Sequence, residues 1–78
     1  MENKNAVETG VIDIIQSQSS GIITPDILLV DLHVNSITFI KIVVELEAKF
    51  DIEFQDEKLL ITEFPAVKDF IDYICEII

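Results

Sequence analysis

Between Lys4 and Gln16 the apolar side chains Val7, Val11, Ile14 and Ile15 recur at the spacing of one helical face and predict a first helix. Gly10 lies inside it and costs about 1 kcal/mol against alanine at such a position. The small polar run Ser17-Gln18-Ser19-Ser20-Gly21 then opens a long connection that reaches Asn35. Within this connection Thr24 can cap a short turn starting at Pro25, and Ile27, Leu28 and Leu32 are apolar enough to be pinned against a core. A long loop anchored in this way points to function.

From Ser36 to Phe50 residue propensity and periodicity disagree. Ile37, Thr38, Phe39, Ile40, Ile42, Val43 and Val44 are β-branched or aromatic and would suit a strand. Yet Phe39, Ile42, Val43, Leu46 and Phe50 form one helical stripe, Glu45 and Lys49 stand at a favourable i,i+4 spacing, and Asn35 is a good N-cap. Periodicity decides for a second helix. Asp51 to Lys58 is acidic around Ile52 and Phe54, and Thr62-Glu63-Phe64-Pro65 combines a capping residue with a proline, which predicts a short helical turn. After Pro65, Val67, Phe70, Ile71, Ile74 and Ile78 repeat at helical spacing, opposite Lys68, Asp69, Asp72 and Glu76. The expected fold is an all-α bundle of three main helices plus one short helix, with residues 1–78 as one freestanding domain.

Composition narrows the classes of function. With 78 residues, half of them apolar, the chain can fill one modest core. Fifteen acidic residues against five lysines and no arginine give a formal charge of -10, which repels nucleic acid and offers no basic face to anionic lipid. Basic partner proteins are the natural complement. The polar opening Met1-Glu2-Asn3-Lys4-Asn5 and the shortness of every apolar run argue against a signal or membrane span, so a cytoplasmic monomer is expected. One cysteine, Cys75, and one histidine, His33, supply neither a disulfide framework nor a ligand set for a structural metal.

The segment Asp31-Leu32-His33-Val34-Asn35-Ser36-Ile37, leading into the second helix and on to Phe50-Asp51-Ile52-Glu53-Phe54, resembles the acyl and peptidyl carrier protein family. The family motif, of the form Asp-Leu-Gly-x-Asp-Ser-Leu, precedes the second helix, and its serine receives phosphopantetheine from coenzyme A. Ser36 stands in that serine position, and the likeness extends over nearly the whole chain. Three positions depart from the motif: His33 where glycine is common, Asn35 where aspartate is usual, and Ile37 where leucine is usual. Asparagine keeps the capping function of aspartate but loses a charge that, in the family, helps the transferase dock.

The resemblance implies a carrier that is not itself an enzyme. It implies 4'-phosphopantetheine, covalently attached at Ser36, holding acyl or aminoacyl groups as thioesters. The implied partners are a phosphopantetheinyl transferase, which uses magnesium, an acyl- or aminoacyl-activating enzyme, and condensing or tailoring enzymes. A serine in the first turn of a helix suits this role, because its hydroxyl faces outward beside unpaired N–H groups at the positive end of the helix dipole. Read from the Asn35-Ser36 pair alone, the simpler reading of Ser36 is an unmodified helix-capping serine, as in a helical adaptor that binds a partner through Ile37, Ile40 and Val44; the surrounding motif and helix pattern turn the reading toward the carrier.

A second apolar stripe, Ile37, Ile40 and Val44, continues to Ala48 and does not belong to the core stripe. It is the expected docking surface, with Asn35, Lys41 and Glu47 around it; the alternative is that the long loop covers part of it. Lys41 makes this face less acidic than that of fatty-acid carriers, so recognition should lean on apolar contact. This feature and Asn35 favour a nonribosomal peptide or polyketide pathway over primary fatty-acid synthesis. Asp31, His33 and Ser36 match a hydrolase triad in residue type only, being crowded into one loop without an evident oxyanion donor or pocket. Asp51, Glu53, Asp56 and Glu57 fit no calcium loop and read as a solvated face.

Overall fold

Three helices carry the fold in the computed structural model, which describes residues 4–19 and 21–78. Met1, Glu2 and Asn3 of the polar opening and Ser20 of the predicted loop lie outside the described residues. Helix α1, Lys4–Gln18, runs two residues past the predicted end and buries Val7, Gly10, Val11 and Ile15. Ile14, expected on the same face, is half-buried at its edge. Gly10 has a packing reason to be glycine. A Cβ at that position would stand 2.7 Å from the ring tip of Phe50 and 2.8 Å from Cε of Lys49, so the end of the second helix lies directly across α1 there.

Helix α2, Ser36–Phe50, has the predicted bounds and buries Phe39, Ile42, Val43 and Leu46. Phe50, expected in the core stripe, is only half-buried because its ring crosses Gly10 near the surface. The expected Glu45–Lys49 pair does not form. Glu45 instead accepts a hydrogen bond from Gln18 Nε2 at 2.8 Å, while the ion pairs among the described residues are Lys4–Asp72 and Lys58–Glu63. The helix stops at Asp51, whose left-handed backbone (φ 54°) lets the amides of Asp51 and Ile52 both donate to the carbonyl of Glu47.

The expected short helix resolves into two 3-10 turns, Asp56–Lys58 and Ile61–Glu63. Thr62 sits inside the second turn rather than capping it. Helix α3, Val67–Ile77, buries Val67, Phe70, Ile71 and Ile74, whereas Ile78, expected on this stripe, is exposed past its end. Its N-cap is Ala66, which has no side-chain acceptor, so other groups satisfy the first amides. Val67 donates to the carbonyl of Ile27 at 3.1 Å and Lys68 to that of Pro25 at 2.8 Å, and Asp69 Oδ2 accepts from the Ala66 amide at 2.9 Å.

The long loop is therefore a structural part of α3. Leu29 completes the pairing by donating to Pro65 at 2.9 Å around an antiparallel bridge between Leu28 and Ala66. Extended backbone alternates its side chains, so Ile27 and Leu29 turn toward the core while Leu28, expected to be pinned, is 43% exposed. At Pro25 the chain makes a simple turn, with Ile27 donating to Thr24 at 3.2 Å, rather than a capped helix.

Helix α1 packs against both α2 and α3. Between α2 and α3 the interior is aromatic: Phe64 stacks on Phe70 at 4.8 Å, Phe39 lies 5.8 Å from Phe70, and Phe54 is 5.5 Å from Phe64. No polar or charged residue is buried among those described. Apolar burial, at about 1.5–3 kcal/mol for each large side chain, is then the main force that holds the start of α2 in place.

Candidate functional site

The chain is fixed immediately before α2 begins. Leu29–Leu32 makes one 3-10 turn, which ends where His33 enters the left-handed region (φ 59°, ψ 31°) and donates its amide to Val30. Val34 then donates to Leu29 at 3.3 Å and buries its side chain. A left-handed backbone costs an L residue roughly 1–2 kcal/mol, and glycine does not meet that strain. This is the physical reason why glycine suits position 33, and His33 occupies it under strain with its side chain exposed.

Asn35 is the N-cap that the sequence predicts. Its Oδ1 accepts from the Thr38 amide at 2.9 Å and its carbonyl accepts from Phe39 at 2.8 Å. The amides of Ser36 and Ile37 have no intrahelical acceptor and face the solvent end of α2. Ser36 is the first helical residue and is exposed, and its hydroxyl has no hydrogen-bond partner among the described residues. An outward hydroxyl with free amides beside it can accept a phosphodiester without displacing any core contact. Asp31 and His33 are exposed nearby, but no hydrogen bond among the described residues joins them to each other or to Ser36.

The outer face of α2 is bare. Ile37 is 70% exposed, Val44 55% and Ile40 40%, with Lys41 and Ala48 exposed beside them, so the long loop does not cover this stripe. Glu47 stands apart from these residues: it is half-buried, and its Oε2 accepts from the Phe54 amide at 2.9 Å, which fastens the connection after α2. Four exposed apolar residues escaped the sequence reading: Ile22 at 83%, Val30 at 71%, Leu60 at 58% and Ile77 at 43%. Val30 lines a groove of about 290 Å³ with Leu28, Leu29, Val34, Ile61 and Pro65. Each sits in an apolar run that reads as core, so only the tertiary pairing separates them.

A family model described as the phosphopantetheine attachment site matches residues 9–74, most of the chain. The chain belongs to this family, that of the acyl and peptidyl carrier proteins. No curated protein matches it as a relative. Membership in the carrier family implies a covalently attached 4'-phosphopantetheine, and the start of α2 has the free hydroxyl and open amides that such a group requires. Carrier domains of this family do not catalyse; they meet phosphopantetheinyl transferases and acyl-handling enzymes. No described helix of this carrier is long and apolar enough to cross a membrane.

Proposed function

We propose that Ser36 is the attachment point of the arm and that residues 1–78 act as one carrier domain for acyl or aminoacyl thioesters, without catalytic groups of their own. The observation that carries this reading is the exposed, unpartnered Ser36 hydroxyl on the first residue of α2, inside the matched family segment. In the loading step Ser36 Oγ forms a bond to a phosphorus of the coenzyme A pyrophosphate as the P–O bond to adenosine 3',5'-bisphosphate breaks. The hydroxyl proton leaves to a base of the transferase. The arm supplies a thiol that holds cargo as a thioester, and tethering raises the local concentration of that cargo at each partner. Asn35 holds the helix start in place at the edge of the surface where Ile37, Ile40, Lys41 and Val44 meet partner enzymes, while Glu47, turned onto the Phe54 amide, serves the fold.

The pathway we infer is nonribosomal peptide or polyketide synthesis, served by a cytoplasmic monomer. Supporting this over primary fatty-acid synthesis are the cation Lys41 on the docking face and the neutral Asn35 before Ser36. The test is intact-protein mass spectrometry after incubation with coenzyme A, magnesium and a broad-specificity phosphopantetheinyl transferase. Wild type should gain one phosphopantetheinyl group, and Ser36→Ala should gain none while keeping its helical circular dichroism. A wild-type chain that no transferase modifies, including any from the source organism, would overturn the carrier reading and leave an unmodified adaptor.

A further inference from the structure

We propose that the partner that docks on α2 presents a carboxylate to Lys41 from within an apolar socket. This rests on the carrier reading above and specifies the chemistry of the surface that meets it.

The outer face combines three exposed aliphatic side chains with one cation. Ile37, Ile40 and Val44 recur at the i, i+3 and i+7 spacing of one helical face, and Lys41 stands one turn after Ile37 on that same face. The other charged side chains of α2 are turned back onto their own molecule. Glu45 accepts from Gln18 Nε2 at 2.8 Å, Glu47 accepts from the Phe54 amide at 2.9 Å, and Lys49 lies across Gly10 of α1. Among the described residues Lys41 forms no ion pair. In a chain of net charge -10, the centre of the docking face thus sets a lysine that has no ion pair among the described residues beside three exposed aliphatic groups.

A partner that covers Ile37, Ile40 and Val44 must also remove water from around Lys41. An ammonium taken out of water without a counter-charge is strongly disfavoured, by several kcal/mol even after relaxation. A socket of purely apolar residues would therefore lose by burying Lys41 much of what it gains from the three aliphatic residues. One carboxylate opposite Nζ removes that loss and also fixes the register of docking along the helix. Glu45, one turn after Lys41, is held by Gln18 Nε2, and charges more than about 8 Å away are largely screened at physiological salt. The more distant acidic groups select a basic rim, and Lys41 selects an acidic centre.

The test uses the phosphopantetheinyl transferase of the source organism, with coenzyme A and magnesium, and reads the initial rate of mass gain at Ser36. Four chains are compared: wild type, Lys41→Arg, Lys41→Ala and Lys41→Glu, each checked for unchanged helical circular dichroism and melting temperature. Lys41→Glu should lower kcat/KM by at least about tenfold, chiefly through KM, because two carboxylates then face each other. Lys41→Ala should lose less, and Lys41→Arg should remain near wild type. A Lys41→Glu chain that is folded and modified as fast as wild type, or faster, overturns the proposal. A wild-type chain that is not modified overturns the carrier reading and this proposal together, a result distinct from a failure confined to the Lys41 variants.

Discussion

Along α2, Phe39, Ile42, Val43 and Leu46 are at most 2% exposed, whereas Ile37, Ile40 and Val44 are 40% or more exposed. The two stripes are built from nearly the same residue types and alternate within a few positions. Only the inner stripe meets α1 and the aromatic cluster of Phe54, Phe64 and Phe70. A helix in a small bundle needs one apolar stripe to fold, so the outer stripe adds little to stability and lowers solubility. That contrast is the strongest reason to assign the outer face to partners and the inner face to the fold, with Ser36 exposed at the first turn of the helix.

The contrast can be broken by truncating one residue on each side. Phe39→Ala should cost about 3–5 kcal/mol, enough to leave a domain of this size largely unfolded, while Val44→Ala should change stability by less than about 0.5 kcal/mol. Urea denaturation followed by circular dichroism reads both. Comparable losses at the two positions would mean that the outer stripe is part of the fold. A smaller effect sharpens the account of where α2 begins: Asn35→Ala removes the acceptor for the Thr38 amide and should cost about 1 kcal/mol, while Asn35→Asp should retain stability. The smallest effect is a gain. His33→Gly relieves about 1–2 kcal/mol of left-handed strain against a smaller added loss of chain entropy, about 0.5–1 kcal/mol, and should raise stability by roughly 0.5–1 kcal/mol. A loss at this position would show that the His33 side chain contributes contacts worth more than the strain.

Much of this arrangement was legible in the sequence, for reasons that can be traced to particular residues. Helix α2 could be placed because the Phe39, Ile42, Val43 and Leu46 spacing overrides the strand propensity of its residues, and because Asn35 marks its start. Helix α3 was legible from its stripe and from Pro65 ahead of it, though its terminal Ile78 was not confined to the core. The loop was misread where its conformation depends on a distant segment. Leu28 faces outward only because Ile27 to Leu29 pairs with Pro65 to Val67, and no local pattern reports that pairing. In the same way, Glu45 and Glu47 found Gln18 and the Phe54 amide instead of Lys49 and a partner-facing position, since side-chain acceptors go to whichever donors the fold brings near. The strain at His33 has no signal in the residue itself. Only the family's preference for glycine hints at it, and the left-handed backbone explains that preference.

The most direct test of the central claim is fragment-ion mass spectrometry of the protein after transferase treatment, because it reads the residue modified and not only the mass gained. The account predicts that the phosphopantetheinyl group maps to Ser36 and that neighbouring Thr38 and the exposed Ser17 remain unmodified. A modified chain whose added mass maps to any other hydroxyl would contradict the assignment of the start of α2 as the carrier site.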